Sequence, residues 1–182
     1  FYDNNKENTA PGGILSEIPP GIGIFVLGTD DGLIEGNLIE DNDYVGIAIT
    51  DYCAVTSLTS FPCGEDPPTQ NPAFLLDQSS RNNRVVGNVL VNNATDPPAL
   101  PFGLLAAEFT LGTLPVDWLP FPPDLYPFFP PEDFTPYHGN CFENNQSSPA
   151  PGVLEFFSLY DFTVYQNGGP PPPWDLPACP AP

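Results

Sequence analysis

With 182 residues, 41% of them hydrophobic, the chain is long enough for one domain with a substantial core and does not have the composition of a disordered acidic tail. Three Lys and Arg against 23 Asp and Glu give a net charge of −20, which repels phosphate backbones and anionic membranes and argues against nucleic acid as a partner. No apolar run approaches the roughly 20 residues that a membrane-spanning helix requires.

The opening FYDNN matches, from its third position onward, a motif that recurs as GNLIEDN at 36–42, GNVLVNN at 87–93 and GNCFENN at 139–145. In this alignment Phe1 and Tyr2 stand where Leu38 and Ile39 stand, and Asn5 where Asn42 stands. The chain thus opens inside a repeat, which is the expectation for a piece of a longer repeat protein. Short apolar runs bounded by Gly, Asn, Asp and Pro then read as strands: GIGIFVLG at 21–28, GIAIT at 46–50, GLLAA at 103–107 and GVLEFF at 152–157. None has a sustained helical period, so the expected class is all-β.

The motif glycines Gly36, Gly87 and Gly139 lie 51 and 52 residues apart, so each period carries a long insertion. Residues 51–80 are one such loop. Residues 108–137 are a second, in which Trp118, Phe121, Tyr126 and Phe128 alternate with prolines that stiffen the chain and deny it sheet pairing. Residues 158–182, rich in proline, are expected to form a C-terminal cap. The whole of 1–182 then forms a single unit. Four cysteines without a CxxC pair allow three pairings, the simplest being Cys53 with Cys63 and Cys141 with Cys179, which places the protein in an oxidising compartment.

If successive periods stack, Tyr2, Ile39, Leu90 and Phe142 form one inward column, and Ile34 and Val85 begin another. The recurrent asparagines have a structural reason, since their amides adopt tight turns and bond the backbone above and below. Asn5, Asn42, Asn93 and Asn145 are expected to form one ladder, and Asn37, Asn88 and Asn140 a second.

On these Gly-Asn motifs, and on stretches such as PPGIGIFVLG and DGLIEGNLIEDNDYVGIAITDY, the chain resembles secreted or periplasmic bacterial right-handed parallel β-helix repeat proteins. These form the broad pectate-lyase-like group that contains carbohydrate-binding and sugar-hydrolase repeats. The likeness covers about residues 1–110 and 138–157. It implies an all-β right-handed parallel β-helix, a solenoid with long proline-rich loops, and polysaccharide as the partner. Such folds host enzymes and non-enzymes alike, so fold analogy alone does not assign an activity.

A hydrolase needs converging carboxylates, for which Asp30, Asp31 and Glu35 are the candidates; neither the Gly-His-Gly nor the Arg-x-Lys segment of polygalacturonases follows them. A lyase needs a base beside a sugar carboxylate, for which Arg84 is the candidate, although a surface role suits it better. Asp41 and Asp43 are the candidates for calcium, against the simpler reading of a solvated acidic turn; no other cofactor is implied. The aromatic residues of the second loop suit sugar stacking as well as packing. His138 reads as a turn residue. The expected function is an extracytoplasmic polysaccharide-interacting scaffold, with a lyase or glycoside hydrolase and a purely structural or adhesive module as the alternatives.

Overall fold

The computed structural model of the chain describes residues 1–13, 16, 18–51, 54–55, 80–99, 102–112, 136–171 and 175–181. Its strands are β1 Ile22–Leu27, β2 Leu33–Glu35, β3 Leu38–Glu40, β4 Val45–Thr50, β5 Arg84–Val86, β6 Val89–Val91, β7 Ala107–Gly112, β8 Cys141–Glu143, β9 Gln146–Ser148 and β10 Leu154–Ser158. An α-helix, α1, spans Leu159–Gln166. The strands assemble into one four-stranded sheet, β1-β4-β7-β10, and two three-stranded sheets, β2-β5-β8 and β3-β6-β9, all parallel.

Two residues make each corner between the short strands. The first takes a left-handed backbone: Asp31, Asn82 and Gly139 before β2, β5 and β8, and Gly36, Gly87 and Asn144 before β3, β6 and β9. Only Gly, Asn and Asp enter that region at low cost, so the sequence marks every corner with one of them. The second is Gly32 or an asparagine, whose amide is turned along the stack. Three-residue strands between such corners leave one side chain each pointing inward: Ile34, Val85 and Phe142 from one sheet, Ile39 and Leu90 from the other. Against them pack Ile47, Ile49, Phe109, Leu111 and Phe156 from the large sheet. Phe142 closes this core with edge-on ring contacts at 5.3 Å to Phe109 and 5.9 Å to Phe156.

The large sheet is buried on both faces. Every residue of β4 and β7 is buried, which is why VGIAIT and AEFTLG do not show a clean apolar and polar alternation. Its second face carries a separate core of Tyr44, Val45, Ala48, Ala107, Phe157 and Leu159, with Phe25 and Phe162 partly buried against it. Helix α1 supplies Leu159 and Phe162 and packs on β7. Its start is specified locally: Ser158 caps it, accepting from the Asp161 N–H at 3.2 Å, while the ring of Phe157 just before the cap meets Phe162 at 5.7 Å.

This overturns the all-β right-handed parallel β-helix expected from the sequence. The described residues form three parallel sheets of three or four strands plus a helix, an α/β-like mixture and not an all-β solenoid. The physical reason lies in residues 158–166: a capped and stapled helix covers the second face of the large sheet, where a plain proline-rich cap was expected.

Register also differs from the expectation. Val85 pairs with Ile34 on one side and with Phe142 on the other, so Phe142 belongs to that column and not to the column of Ile39 and Leu90, whose next member is Ser147. At the other end Tyr2 bridges Glu40 instead of Ile39, and this one-residue slip turns Tyr2 outward, 71% exposed. Residues 108–112, expected in a loop, complete β7.

Candidate functional site

The polar interior of the described residues is a set of amide columns. Asn37 N–H and Nδ2 both donate to Asn88 Oδ1 at 2.9 Å, and Asn88 N–H and Nδ2 donate to Asn145 Oδ1 at 2.9 and 3.0 Å. Asn83 repeats the pattern onto Asn140 Oδ1 at 3.0 and 2.9 Å, and Asn42 onto Asn93 Oδ1 at 3.1 and 2.8 Å. Each lower amide also returns a hydrogen bond to a carbonyl above, as Asn93 Nδ2 does to Ile39 O at 3.0 Å. The columns are therefore Asn37, Asn88 and Asn145, then Asn83 and Asn140, then Asn42 and Asn93. They regroup the expected ladders: Asn145 joins Asn88 instead of Asn93, and Asn140 joins Asn83. Asn4, not Asn5, donates its N–H to Asn42 Oδ1, while Asn5 bonds Asp41 O and the Asp43 N–H beside the column.

The third column ends on a carboxylate. Glu108 of β7 is fully buried; its Oε1 accepts the Asn93 N–H at 3.1 Å and its Oε2 accepts Asn93 Nδ2 at 2.6 Å. On β1 and β4 glycines flank this column. A Cβ on Gly23 would stand 3.0 Å from Asn42 Nδ2, and one on Gly46 would stand 3.2 Å from Asn93 Nδ2 and 2.6 Å from Glu108 O. Burial pushes the Glu108 carboxyl above the usual carboxylate range, the two Asn93 hydrogen bonds oppose that shift, and the nearby Glu155 charge adds to it. Sequence reasoning passed over this residue.

Asp30 accepts the Arg81 N–H at 3.0 Å, and Asp31 and Glu35 are exposed. Arg84 forms an ion pair with Glu143 across neighbouring strands at 3.2 Å, both side chains about half exposed. Asp41 and Asp43 are engaged at their corner, Asp41 Oδ1 accepting from Asn92 Nδ2 at 2.7 Å and Asp43 Oδ1 from Thr95 Oγ1 at 3.3 Å. Among the described residues no three His, Cys, Asp or Glu side chains are placed to hold a metal ion. No helix among them is long and apolar enough to cross a membrane.

Trp118, Phe121, Tyr126, Phe128, Cys53 and Cys63 lie outside the described residues. Cys141 and Cys179 form a disulfide. It fastens the C-terminal segment to β8, where the Phe142 N–H also donates to Pro177 O at 2.8 Å and Ala178 bridges Phe142.

On the second face of the large sheet lies an apolar hollow of about 30 Å³, lined among others by Ile18, Ile22, Phe25, Tyr44, Leu105 and Thr110. Burial raises the Tyr44 phenol far above its ordinary range, so it stays protonated. Thr110 Oγ1 donates to Leu105 O at 2.7 Å. That volume accommodates about two waters.

The outer face of β3-β6-β9 is half-buried to exposed. It presents Leu38 (51% exposed) and Glu40 from β3, Val89 and Val91 from β6, and Gln146 and Ser148 from β9, with Tyr2 continuing the row beside Glu40. Apolar and aromatic groups here alternate with an amide, a hydroxyl and a carboxylate. No known protein family matches the chain, and neither does any curated protein or solved structure.

Proposed function

We propose that the chain is an extracytoplasmic scaffold that holds polysaccharide on the outer face of β3-β6-β9 without cleaving it. The observation that carries this reading is the character of that face, where the Tyr2 ring and the Leu38 side chain lie among hydrogen-bonding groups on parallel strands. Sugars present apolar ring faces and hydroxyl edges together, so a surface of this mixed kind suits them. The Cys141–Cys179 disulfide supports an oxidising compartment. The engagement of Arg84 by Glu143, and of Asp30 by the Arg81 N–H, favours binding over acid–base chemistry. A net charge of −20 makes neutral chains the better match.

The test is incubation with neutral and acidic polysaccharides, with calcium and with chelator, scoring retention and new chain ends. Retention of neutral chains without new ends is expected, with Tyr2→Ala weakening retention about two- to tenfold. New chain ends refute the scaffold reading, and no retention on any polysaccharide refutes the choice of partner.

A further inference from the structure

Glu108 is a buried carboxylate in a position that every other amide column fills with an asparagine. After β6 the chain runs Asn92-Asn93, but after β9 it runs Pro149-Ala150, so the column that descends through Asn42 and Asn93 meets no third amide. Without Glu108 the buried Asn93 N–H would have no acceptor, which is costly, and Asn93 Nδ2 would keep only Ile39 O. Glu108 reaches in from β7 and accepts both. In the other columns one amide oxygen takes the same two donors, so a single neutral oxygen is sufficient for the geometry.

The surroundings of Glu108 provide no compensating positive charge. From β4 the neighbour is Gly46, from β6 the Gly46 site is bounded by Leu90, and from the corner after β6 comes Asn93, with Asp96 further along. From β10 the residue opposite Glu108 is Glu155, exposed and acidic. From α1 the acidic group is Asp161, which accepts a hydrogen bond from the Tyr137 hydroxyl. The groups that act on Glu108 are Asn93 and Glu155, and neither is basic.

We propose that Glu108 is a pH-graded joint between β7 and the amide column: with its carboxyl buried and no cation beside it, the fold gains most from it in mild acid, where it is uncharged, and less as it ionises toward neutral pH. The direction follows from burial. The folded chain keeps the Glu108 proton at pH values where the unfolded chain has released it. The stability contributed is fully present below the ordinary glutamate value of 4.5 and is lost as pH rises through the raised value. Each pH unit in that window changes the unfolding constant by about tenfold.

The test is urea unfolding between pH 4.5 and 8 of the wild type, Glu108→Gln and the exposed control Glu7→Gln, which removes the same formal charge from the surface. The wild-type and Glu7→Gln midpoints are expected to fall together as pH rises. Glu108→Gln is expected to fall less steeply and to unfold at higher urea than the wild type at pH 7.5. Parallel wild-type and Glu108→Gln profiles would overturn the proposal. Should Glu108→Gln not fold, the carboxyl carbon of Glu108 is followed by NMR in the labelled wild type. Titration above that of the exposed glutamates sustains the joint, and titration at or below them refutes it.

Discussion

Asn88 is the middle member of the longest amide column and is fully buried, so Asn88→Ala measures directly what the columns contribute. Its Oδ1 accepts two hydrogen bonds from Asn37 at 2.9 Å. Its Nδ2 donates to Ile34 O at 2.8 Å and to Asn145 Oδ1 at 3.0 Å. At about 1 kcal/mol net for each of these bonds, the alanine variant loses about 4 kcal/mol. A domain of this kind has roughly 5–15 kcal/mol in all. With a urea slope near 2 kcal/mol per molar, the unfolding midpoint falls by about 2 M. Asn88→Asp is expected to be at least as damaging at neutral pH, because it retains an acceptor toward Asn37 but sets oxygen against Ile34 O and Asn145 Oδ1 and buries a charge. The exposed Gln146→Ala serves as control and is expected to change stability by under about 0.5 kcal/mol. If Asn88→Ala unfolds within about 1 kcal/mol of the wild type, the columns do not hold the corners together, and the reasoning that ties the repeated asparagines to the fold fails.

Other outcomes follow from equally local facts. Gly46→Ala places a Cβ 2.6 Å from Glu108 O and 2.7 Å from Leu90 Cδ2, so a loss of about 2–3 kcal/mol is expected by urea titration. Gly36→Ala has nothing within 4 Å and pays only for its positive φ of 66°, about 1 kcal/mol. Replacing Cys141 and Cys179 by serine opens a loop of sequence separation 38, worth about 4 kcal/mol in the chain-entropy account, read as a drop in thermal midpoint. Burial, with the Arg81 charge adding, lowers the His138 pKa from 6.5 to about 4. Its contribution is present above pH 6.5 and is lost as pH falls toward 4, opposite in sign to Glu108. Asn also tolerates the left-handed backbone at this position, so His138→Asn is expected to flatten the acid side of the stability profile.

The corners were the most legible part of the sequence, and they also misled. A left-handed Gly, Asn or Asp, then Gly or Asn, then a three-residue strand describes the corner at 31–32 as well as the one at 36–37, and likewise those at 82–83 and 87–88. A motif with this grammar fits the third period in either of two registers five residues apart. Equating Gly139-Asn140 with Gly87-Asn88 chose the wrong one, since Asn140 stacks under Asn83 and Asn145 under Asn88. Hydrogen-bond register settles this, and composition does not. The helix had a visible start signal in Ser158-x-x-Asp161 with Phe157 and Phe162 around it, yet its 8 residues are too few for apolar periodicity to stand out. Glu108 was legible only as a difference: a glutamate after Ala107 where β1 and β4 have Gly23 and Gly46, together with Ala150 where an asparagine would complete the column. Neither half of that signal means anything until strand pairing brings the two segments together.

The same pairing decides where function is to be sought. The buried amides Asn42, Asn83, Asn88 and Asn93 have oxygen and nitrogen committed to the chain above and below, so turning one toward a ligand would strand several buried partners at a cost comparable to much of the folding free energy. The inward side chains are likewise committed, Phe142, Phe109 and Phe156 to one another and Ile39 and Leu90 to the same core. Less of this commitment falls on the outward residues of the short strands, most of which are exposed or half-buried. On β2, β5 and β8 those positions hold the Arg84–Glu143 pair and Leu33. On β3, β6 and β9 they hold the uncommitted mixture around Leu38 and Gln146, beside Tyr2. A partner recognised by this chain is therefore best sought on that second face, by substitutions at outward positions that leave the amide columns intact.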